Sequence, residues 1–414
     1  MQIIKNINAL EILDSRGNPT LEVTCELQNG ALGVFSVPSG ASTGINEVVE
    51  LRDNDPLRYG GKGVLKAIQN TQKEIKDTII GKKFNQKSLD DTLIALDGTT
   101  NKSRLGGNAI LGVSMAFAKA EAIAKGKELF EHIAELAENN SDLKKMPTLM
   151  LNVINGGKHA DSGLDIQEYM LVPDFPTVKE NIQAGAEIIS FLKKDLHAKN
   201  LSVGVGDEGG FAPKLSSNEE ALSLLQSAIK ESSYTGKVNM ALDVASSSFF
   251  KNEKYELEKD NKSLDKDALI EMYASWVEKY PIISIEDGIE ETDWDGFKKM
   301  FEKLGGKIKI TGDDLTVTSP QKIQKGGDEK AINAVIIKPN QIGTLSETLE
   351  AIKIAKENNI AVIVSHRSGE TTDTFIADLA VGVSADFLKS GSLVRGERVC
   401  KYNRLLQIEK KLQK

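Results

Sequence analysis

Residues Ala334 to Thr344 read Ala-Val-Ile-Ile-Lys-Pro-Asn-Gln-Ile-Gly-Thr and contain the clearest strand signal of the chain. The apolar run over 335–337 predicts a fully buried strand, which Pro339 ends. Lys338 stands directly at the carboxyl end of this strand, where a buried ammonium group must find partners or lose its proton. Other segments also end in a short apolar run followed by acids or bases. We therefore expect the fold to gather these strand ends around Lys338.

Residues 136–414 alternate between such apolar runs and amphipathic helical stretches such as Glu219 to Lys230 and Leu345 to Glu357. The runs predicted as strands are Leu149 to Val153, Tyr169 to Pro173, Val203 to Gly206, Val238 to Leu242, Ile282 to Ile285, Lys307 to Thr311, Ala334 to Ile337, Ile360 to Val364 and Ala385 to Leu388. This alternation predicts a β/α barrel, which takes about 250 residues. A β/α barrel has eight strands, whereas nine runs are predicted here. One of the runs therefore either lies outside the barrel or is misread. An open doubly wound sheet is the alternative architecture.

The sequence pattern of residues 1–135 predicts a smaller α+β domain, which precedes the barrel in the chain. Apolar and polar residues alternate over 21–27, and Asn29-Gly30 is a hairpin signal, so we expect a three-stranded antiparallel meander followed by helices. The small residues of Ser36 to Gly44 have two interpretations. They form either a linker or a mobile lid whose hydroxyl and amide groups meet an anion or a metal.

The bulk composition is that of a soluble globular protein, with 40% hydrophobic and 27% charged residues. The net charge of -8 argues against nucleic acid or an anionic membrane as the main partner. Cys25 and Cys400 lack a metal-like spacing and fit a reducing compartment. We find no signal peptide and no apolar run of about 18 residues, so a cytoplasmic protein without a membrane span is expected.

Ionisable residues follow most of the predicted strands, at the end that forms the active face of a β/α barrel. In chain order the ionisable residues are Asp207, Glu208, Asp243, Glu286, Asp287, Asp313, Asp314, Lys338, His366, Arg367 and Lys389, and the hydroxyl residue Ser368 follows Arg367. One acid after a strand is commonly a helix N-cap or a surface turn, but so many together predict a site. Asp243, Glu286 and Asp313 follow three successive strands and offer hard oxygen donors, which suit Mg²⁺ or Mn²⁺ better than zinc.

The cations of this set predict a small substrate with several negative charges. Lys338, Arg367 and Lys389, with His159 in a glycine-rich loop, would bind carboxylate and phosphate groups. We expect the pKa of Lys338 to be lowered by the metal ions and by Lys389, so that it acts as a general base. Glu208 is the candidate acid. A base, an acid and a metal-bound carboxylate together predict elimination of water through a metal-stabilised enediolate.

At these residues the chain resembles the enolases, a family of 2-phosphoglycerate dehydratases, nearly from end to end. The stretches that carry the resemblance are Leu13 to Thr20, Pro38 to Gly44, Asn155 to His159, Asp165 to Glu168, Gly206 to Gly210, Ser284 to Asp287, Gly312 to Leu315, Ile337 to Thr344 and Ser365 to Thr371. The resemblance implies an enolase-type barrel and glycolytic conversion of 2-phosphoglycerate to phosphoenolpyruvate. A Lys or His base with one or two Mg²⁺ ions is the known pattern of that superfamily. The base and the metal expected here therefore follow from the resemblance.

The resemblance implies two Mg²⁺ ions for each active site. Asp243, Glu286 and Asp313 would hold the first ion, and Ser42 on the loop would join a second ion that arrives with the substrate. Ser248 departs from the family pattern, because enolases commonly carry Glu at this position. We expect metal binding to survive this change while the local hydrogen bonding differs.

The resemblance also implies roles around the substrate. Lys338 would take the C2 proton of 2-phosphoglycerate, and Glu208 would protonate the departing C3 hydroxyl. The positions implied to contact the substrate are His159, Gln167, Glu168, His366, Arg367, Ser368 and Lys389. His132 and His197 match no family motif, and we predict that they are surface or packing residues.

The resemblance further implies a homodimer, which bacterial enolases often assemble into octamers. An arginine near the amino terminus then pairs with a glutamate near the carboxyl terminus across the interface, and Arg16 and Glu409 are the candidates here. Lys410 stands where a second acid is expected, which leaves the pair open.

Two rival functions stay open at the sequence level. Another superfamily member, such as an acid-sugar dehydratase or a racemase, would share the barrel and the three carboxylates but lack the loop over 39–44 in this form. A binding protein is the other rival, since bacterial enolases can appear on the cell surface or be secreted, bind plasminogen, or join RNA-degrading assemblies. Lys410, Lys411 and Lys414 would suit a lysine-binding partner or form a solvated tail. Either binding role would add to the enzyme.

Overall fold

An antiparallel sheet opens the chain in the computed structural model, which describes residues 1–40, 46–139, 143 and 145–413. Its strands are β1 (Gln2–Leu13), β2 (Pro19–Leu27), β3 (Leu32–Ser36) and β4 (Lys83–Phe84). They lie in the order β3-β2-β1-β4, and every pairing is antiparallel. The first three strands are the predicted meander, and alternate residues Leu21, Val23 and Cys25 of β2 are fully buried. The short β4 is an addition that the sequence does not predict.

Helices pack against this sheet, and their bounds are α1 (Leu65–Asn70), a π-helical turn (Thr71–Ile75), α2 (Lys76–Ile79), α3 (Gln86–Asp97), α4 (Gly107–Ala124) and α5 (Leu129–Leu136). Helix α4 contacts β2 and β3 directly and is buried along most of its length. Gly33 makes this close approach possible, because a Cβ there would lie 2.1 Å from the backbone oxygen of Ala116. The small residues of α4 therefore serve tight packing.

The rest of the described chain alternates between strands and helices. Its strands are β5 (Thr148–Asn155), β6 (Glu168–Pro173), β7 (Val238–Asp243), β8 (Phe250–Lys251), β9 (Lys254–Leu257), β10 (Lys262–Leu264), β11 (Ile282–Glu286), β12 (Lys309–Gly312), β13 (Ala334–Ile337), β14 (Ala361–Ser365) and β15 (Phe387–Lys389). Its helices are α6 (Val178–Ala198), α7 (Asn218–Glu231), α8 (Lys266–Lys279), α9 (Trp294–Leu304), α10 (Pro320–Asp328), α11 (Pro339–Ile342), α12 (Leu345–Glu357), α13 (Phe375–Gly382) and α14 (Gly396–Leu412).

Eight of these strands close into a barrel in the order β11-β12-β13-β14-β15-β5-β6-β7, and β8 to β10 form a separate small sheet. The predicted fold class, an α+β region followed by a β/α barrel, is confirmed. The strand predicted over Val203 to Gly206 is wrong, since Val205 forms only an isolated bridge with Phe211. This run contains two glycines and none of its residues is buried, so it lacks the two covered faces of a barrel strand. The boundary at residue 135 stays a prediction.

Strand β6 runs antiparallel to both of its neighbours, whereas the other barrel strands are parallel. A parallel crossover usually needs an intervening helix, and only a loop with a short 3₁₀ turn connects β5 to β6. The amino end of β6 therefore lies at the same barrel mouth as the carboxyl ends of β5 and β7. Glu168, its first residue, pairs in register with Asn155 and Asp243.

Alternation along the strands brings charged residues to this mouth. Ala334 and Ile336 belong to the buried cluster inside the barrel, whereas Val335 and Ile337 pack with the larger core. Lys338 continues the inward series by one more step. Asp243 follows Ala241 of the inner cluster in the same way. In the described part of the chain, no helix combines the length and apolar content that a membrane crossing requires.

Glu409, the predicted interface residue, binds the start of a helix in its own chain. Its carboxylate accepts hydrogen bonds from the backbone N–H groups of Val178 at 2.7 Å and Lys179 at 3.4 Å, which begin α6. Arg16 lies 3.8 Å from Asp14. The Arg16–Glu409 pair across an interface stays a prediction, but Glu409 already has a structural role within one chain.

Glu409→Ala is expected to destabilise the protein by about 1–2 kcal/mol, because charge-assisted bonds to a helix amino end are lost. The urea midpoint of unfolding at fixed protein concentration measures this. Lys410→Ala, on the exposed side of the same helix, is the matched control and should change the midpoint little. Dissociation of an oligomer with an unchanged midpoint would contradict the capping role and favour the interface role.

Candidate active site

A cavity of about 190 Å³ opens at the barrel mouth. Its walls contain every predicted site residue of the described chain except Asp207 and Glu286, and Glu286 contacts Lys389. Ser42, the predicted ligand of a second ion, lies outside the described residues. The fold thus brings together residues that are far apart in sequence, although their individual roles remain proposals.

Lys389 links the carboxylates on one side of the cavity. Its Nζ lies 2.7 Å from Glu286, 2.9 Å from Asp243 and 3.4 Å from Glu168. Burial lowers the pKa of Lys389, but these carboxylates outweigh burial and hold the pKa well above its ordinary value. The ammonium group therefore stays charged and balances the acids around it. Gln167 adds a hydrogen bond to Asp243 Oδ2 at 3.3 Å.

Lys338 forms an ion pair with Asp313 Oδ2. The lowered pKa that the sequence predicts for Lys338 is therefore wrong for this arrangement. Burial does favour the neutral amine, but the Asp313 carboxylate outweighs it and raises the pKa of Lys338. Gln341 fixes the other Asp313 oxygen with an N–H···O bond of 2.9 Å. The pair holds on to the proton that a general base must lose.

The predicted metal ligands come from adjacent barrel strands and are already balanced by lysines. Asp243 and Glu286 are register partners on β7 and β11 and share Lys389, whereas Asp313 pairs with Lys338. Glu286 Oε1 is buried and has no hydrogen-bond partner among the described residues. Burial, followed by the Asp243 charge, raises the pKa of Glu286 well above its usual range. A buried carboxyl oxygen without a partner is costly, and a hard cation would satisfy it and favour the ionised form. The donor set therefore fits Mg²⁺.

A second carboxylate group lies beside Asp313. One oxygen each from Asp287, Asp313 and Asp314 lies within 4.8 Å of the others, a closeness that the predicted triad does not have. The Asp287 oxygens, however, accept the backbone N–H groups of Asp313 at 2.9 Å and Asp314 at 2.8 Å. Burial, followed by Asp313, raises the pKa of Asp314 to about 7. The Asp287 oxygens are thus already occupied by backbone N–H groups, whereas Glu286 Oε1 has no partner among the described residues.

His159 lies between two carboxyl groups on another wall. Its Nδ1 is 3.5 Å from Glu168 and 3.6 Å from Glu208. Burial, followed by the Glu208 charge, raises the pKa of Glu168 well above its usual range. Burial also opposes ionisation of Glu208, but His159, His366 and Arg398 together hold its pKa well below the usual value. Their environments therefore favour a neutral Glu168 and an ionised Glu208.

Glu208 reaches the cavity from a turn and not from a strand end, which corrects the sequence prediction. The turn over 206–210 is attached to the barrel because Phe211 donates its backbone N–H to Val153 of β5 at 2.9 Å. Asn152 of the same strand donates to Glu208 Oε2 at 3.0 Å. Glu208 as a whole is only 2% exposed, so these bonds define the position of its side chain.

Arg367 is buried at the rim, and Glu47 and Asn340 are among the described residues that accept hydrogen bonds from it. Its Nη1 and Nη2 donate to the Glu47 carboxylate at 2.9 and 3.2 Å, and Nη1 donates to Asn340 Oδ1 at 3.0 Å. Ser368 lines the cavity next to Arg367. These bonds fix the orientation of the guanidinium group at the cavity rim.

The remaining residues singled out in the sequence lie as follows. Ser248 is exposed at the cavity rim, and its backbone N–H donates to Ala245. His132 is buried 3.4 Å from Glu121 and packs between helices, whereas His197 is exposed on α6. His132 and His197 take no part in the cavity.

Sequence reasoning missed several residues that support the site. Asn340 and Gln341 lie inside a quoted motif, so their position could have pointed to them. Asn152 interrupts an apolar strand, which is a usable signal for a buried polar role. Glu47 and Arg398 carry no local signal, because only the fold brings them to Arg367 and His366.

Comparison with known proteins agrees with this geometry. The family described as "Enolase, N-terminal domain" matches residues 4–133, and "Enolase, C-terminal TIM barrel domain" matches residues 143–414. A protein of Campylobacter jejuni described as "Enolase" is 49% identical over 411 residues, which cover 99% of this chain and 97% of that protein. The shared barrel, its charged mouth and the end-to-end similarity lead to one conclusion: the chain belongs to the enolase family and is a hydro-lyase of the phosphopyruvate hydratase type.

Proposed function

We propose that Lys338 and Glu208 carry out the family's glycolytic dehydration of 2-phosphoglycerate to phosphoenolpyruvate in this one cavity. Lys338 removes the C2 proton, and Glu208 assists loss of the C3 hydroxyl. The observation that supports the proposal is that a buried lysine and a buried glutamate line the same cavity as the carboxylates and cations. Because the substrate carries a carboxylate and a phosphate, this polar, charged cavity suits it.

Asp243, Glu286 and Asp313 would hold one Mg²⁺, and Ser42 would join a second that comes with the substrate. Bound Mg²⁺ supplies positive charge where the substrate carboxylate gains electron density as the C2 proton leaves. The unpartnered Glu286 oxygen supports this assignment.

Lys338 can serve as a base once Asp313 no longer neutralises it. Burial, Arg367 and Lys389 each lower the pKa of Lys338, whereas Asp313 is the leading group that raises it. If the Asp313 carboxylate moved away from Nζ, mainly burial, Arg367 and Lys389 would remain, and all three lower the pKa of Lys338. The base is thus kept protonated by the same residue that is proposed to bind a cation.

Glu208 must carry a proton before it can assist the hydroxyl to leave. His159 lies beside both Glu168 and Glu208. The pKa of Glu168 is raised, whereas the pKa of Glu208 is lowered. A pair of carboxyl groups with opposite shifts is suited to passing a proton. We propose that Glu168 supplies the proton that Glu208 delivers, while His159 and Gln167 close the wall around the C3 hydroxyl.

The two anionic ends of the substrate would meet different cations. Arg367 and Ser368 would hold the phosphate, with His366 in the adjoining wall, and Lys389 would face the carboxylate. Arg367→Lys is expected to raise KM for 2-phosphoglycerate about 10- to 100-fold, because an ammonium group cannot bind phosphate bidentately. Steady-state kinetics measures this, with Arg395→Lys as the control at a partly exposed arginine. An unchanged KM would remove Arg367 from the phosphate site.

The direct test follows the ultraviolet absorbance of phosphoenolpyruvate after adding 2-phosphoglycerate, with Mg²⁺ and then with a chelator. Turnover that needs Mg²⁺ and drops about 10²- to 10⁴-fold in Glu208→Gln is the expected result. No turnover by the folded, Mg²⁺-loaded protein would refute the proposed substrate.

We also propose a homodimer on the basis of the family resemblance, which light scattering would test. An octamer, cytoplasmic or surface location, plasminogen binding and membership of an RNA-degrading assembly stay predictions from the sequence.

A further inference from the structure

His366 is held between a buried arginine and the proposed acid. Nη1 of Arg398 lies 2.7 Å from His366 Nδ1, and His366 Nε2 lies 3.3 Å from Glu208 Oε2. Arg398 is fully buried on α14, and His366 is 2% exposed. The three side chains thus form a row from the helix to the cavity.

The donor chemistry of arginine determines where the imidazole proton lies. A guanidinium group has only N–H donors, so Nδ1 must offer a lone pair to Nη1. The ring proton is then on Nε2, which faces Glu208. Nε2 makes no hydrogen bond to another described residue, and Glu208 Oε2 lies 3.3 Å from it, so its proton is available to that carboxylate.

The groups around His366 agree with a neutral ring. Burial is the main cause that lowers its pKa to about 4, and Arg398 acts in the same direction. Glu208 and Glu370 act in the opposite direction, but less than burial does. Across the neutral pH range the ring therefore carries one proton, and its tautomer is the property that Arg398 can control.

Arg398 also fixes the two loops that carry His366 and Glu208. Its Nη1 donates to the backbone oxygen of Arg367 at 2.6 Å, and its Nη2 donates to those of Ser368 at 2.7 Å and Asp207 at 3.3 Å. A lysine offers a single point of attachment and could not reach these acceptors in the same fork.

We propose that Arg398 is a positioning residue that fixes His366 as the neutral Nε2–H tautomer and so presents a hydrogen-bond donor to Glu208. The proposal rests on the acid role proposed for Glu208. Arg398 touches neither substrate nor metal ligand in this scheme and acts through His366.

The test compares Arg398→Met, Arg398→Lys and Lys401→Met with the wild type. Lys401 is the matched control, because it is a buried cation on the same helix that pairs with Glu370 at 2.8 Å. ¹⁵N-histidine NMR of the substrate-free protein reports which ring nitrogen of His366 carries the proton, with His366→Gln used for assignment. Steady-state kinetics then separates kcat from KM.

We expect an unprotonated Nδ1 in the wild type and in Lys401→Met, and a mixed tautomer in Arg398→Met. Arg398→Met should lower kcat about 10- to 100-fold with little change in KM, the usual effect of losing a partner behind a functional residue. Arg398→Lys should give an intermediate result, with more unprotonated Nδ1 and a higher kcat than Arg398→Met. A protonated Nδ1 in the wild type would overturn the proposal even if Arg398→Met fails to fold.

An unchanged tautomer in Arg398→Met would also overturn the proposal, as would a kcat loss no larger than that of Lys401→Met. Full activity of Glu208→Gln would instead overturn the acid role, while the NMR result on Arg398 and His366 would stand. The two failures are therefore distinguishable.

Discussion

Lys338→Ala should lower kcat about 10²- to 10⁴-fold, because the proposed base is removed from the C2 proton. The same change should leave Mg²⁺ affinity equal or higher. Lys338 Nζ forms an ion pair with Asp313 Oδ2, so removal of the lysine side chain frees a predicted metal ligand. The phosphoenolpyruvate absorbance assay measures the first effect, and calorimetric titration with Mg²⁺ measures the second.

Lys322→Ala is the matched control, since Lys322 is a half-buried lysine on α10 that pairs with none of the three predicted ligands. It should keep near wild-type kcat. If Lys338→Ala loses both turnover and Mg²⁺ binding, the lysine supports the metal site and the base assignment loses its support. Turnover close to wild type would remove Lys338 as the base.

Glu286→Gln should weaken Mg²⁺ binding by about 100-fold or more, at least as much as the loss of an outer-shell partner. The amide keeps the shape of the side chain but removes the negative charge, and it also removes one of the carboxylates that hold Lys389. Activity measured against Mg²⁺ concentration should shift by the same factor. Calorimetry on the substrate-free protein reports the binding step separately.

Glu291→Gln is the control for this experiment, because Glu291 is an acid of the same cavity outside the predicted ligand set. It should leave Mg²⁺ affinity within a few-fold of the wild type. An equal loss in both variants would point to general negative charge at the mouth, and unchanged affinity in Glu286→Gln would transfer the site to the Asp287, Asp313 and Asp314 group.

The barrel and most of its strands could be predicted because their signal is local. Buried strands are short apolar runs, and eight of the nine predicted runs lie in the barrel. The direction of strand β6 was harder to predict than its position. Direction depends on how the chain connects β5 to β6 and not on the residues of β6 itself. Val203 to Gly206 has the composition of a strand but no partner strand that covers it.

The candidate site was predictable where a charged residue directly follows an inward-facing strand position. Lys338 and Asp243 satisfy that condition, because residues two apart on a strand share a face. Glu208 was predicted as the end of a strand that is not formed, and the motif over 206–210 pointed to the same residue. Glu47 and Arg398 were not found, since their partners Arg367 and His366 are distant in sequence.

The chain alone was sufficient to predict the eight-stranded barrel, the charged residues at its mouth and the family. The alternation of apolar runs carries the strands, and the quoted motifs carry the family resemblance; both signals lie between near neighbours in the sequence. The protonation states were set by the three-dimensional arrangement. The pKa of Lys338 is raised, opposite to our prediction, because Asp313 comes into contact with it. Electrostatic energies depend on distances between side chains, and folding creates those distances between residues that the sequence keeps apart.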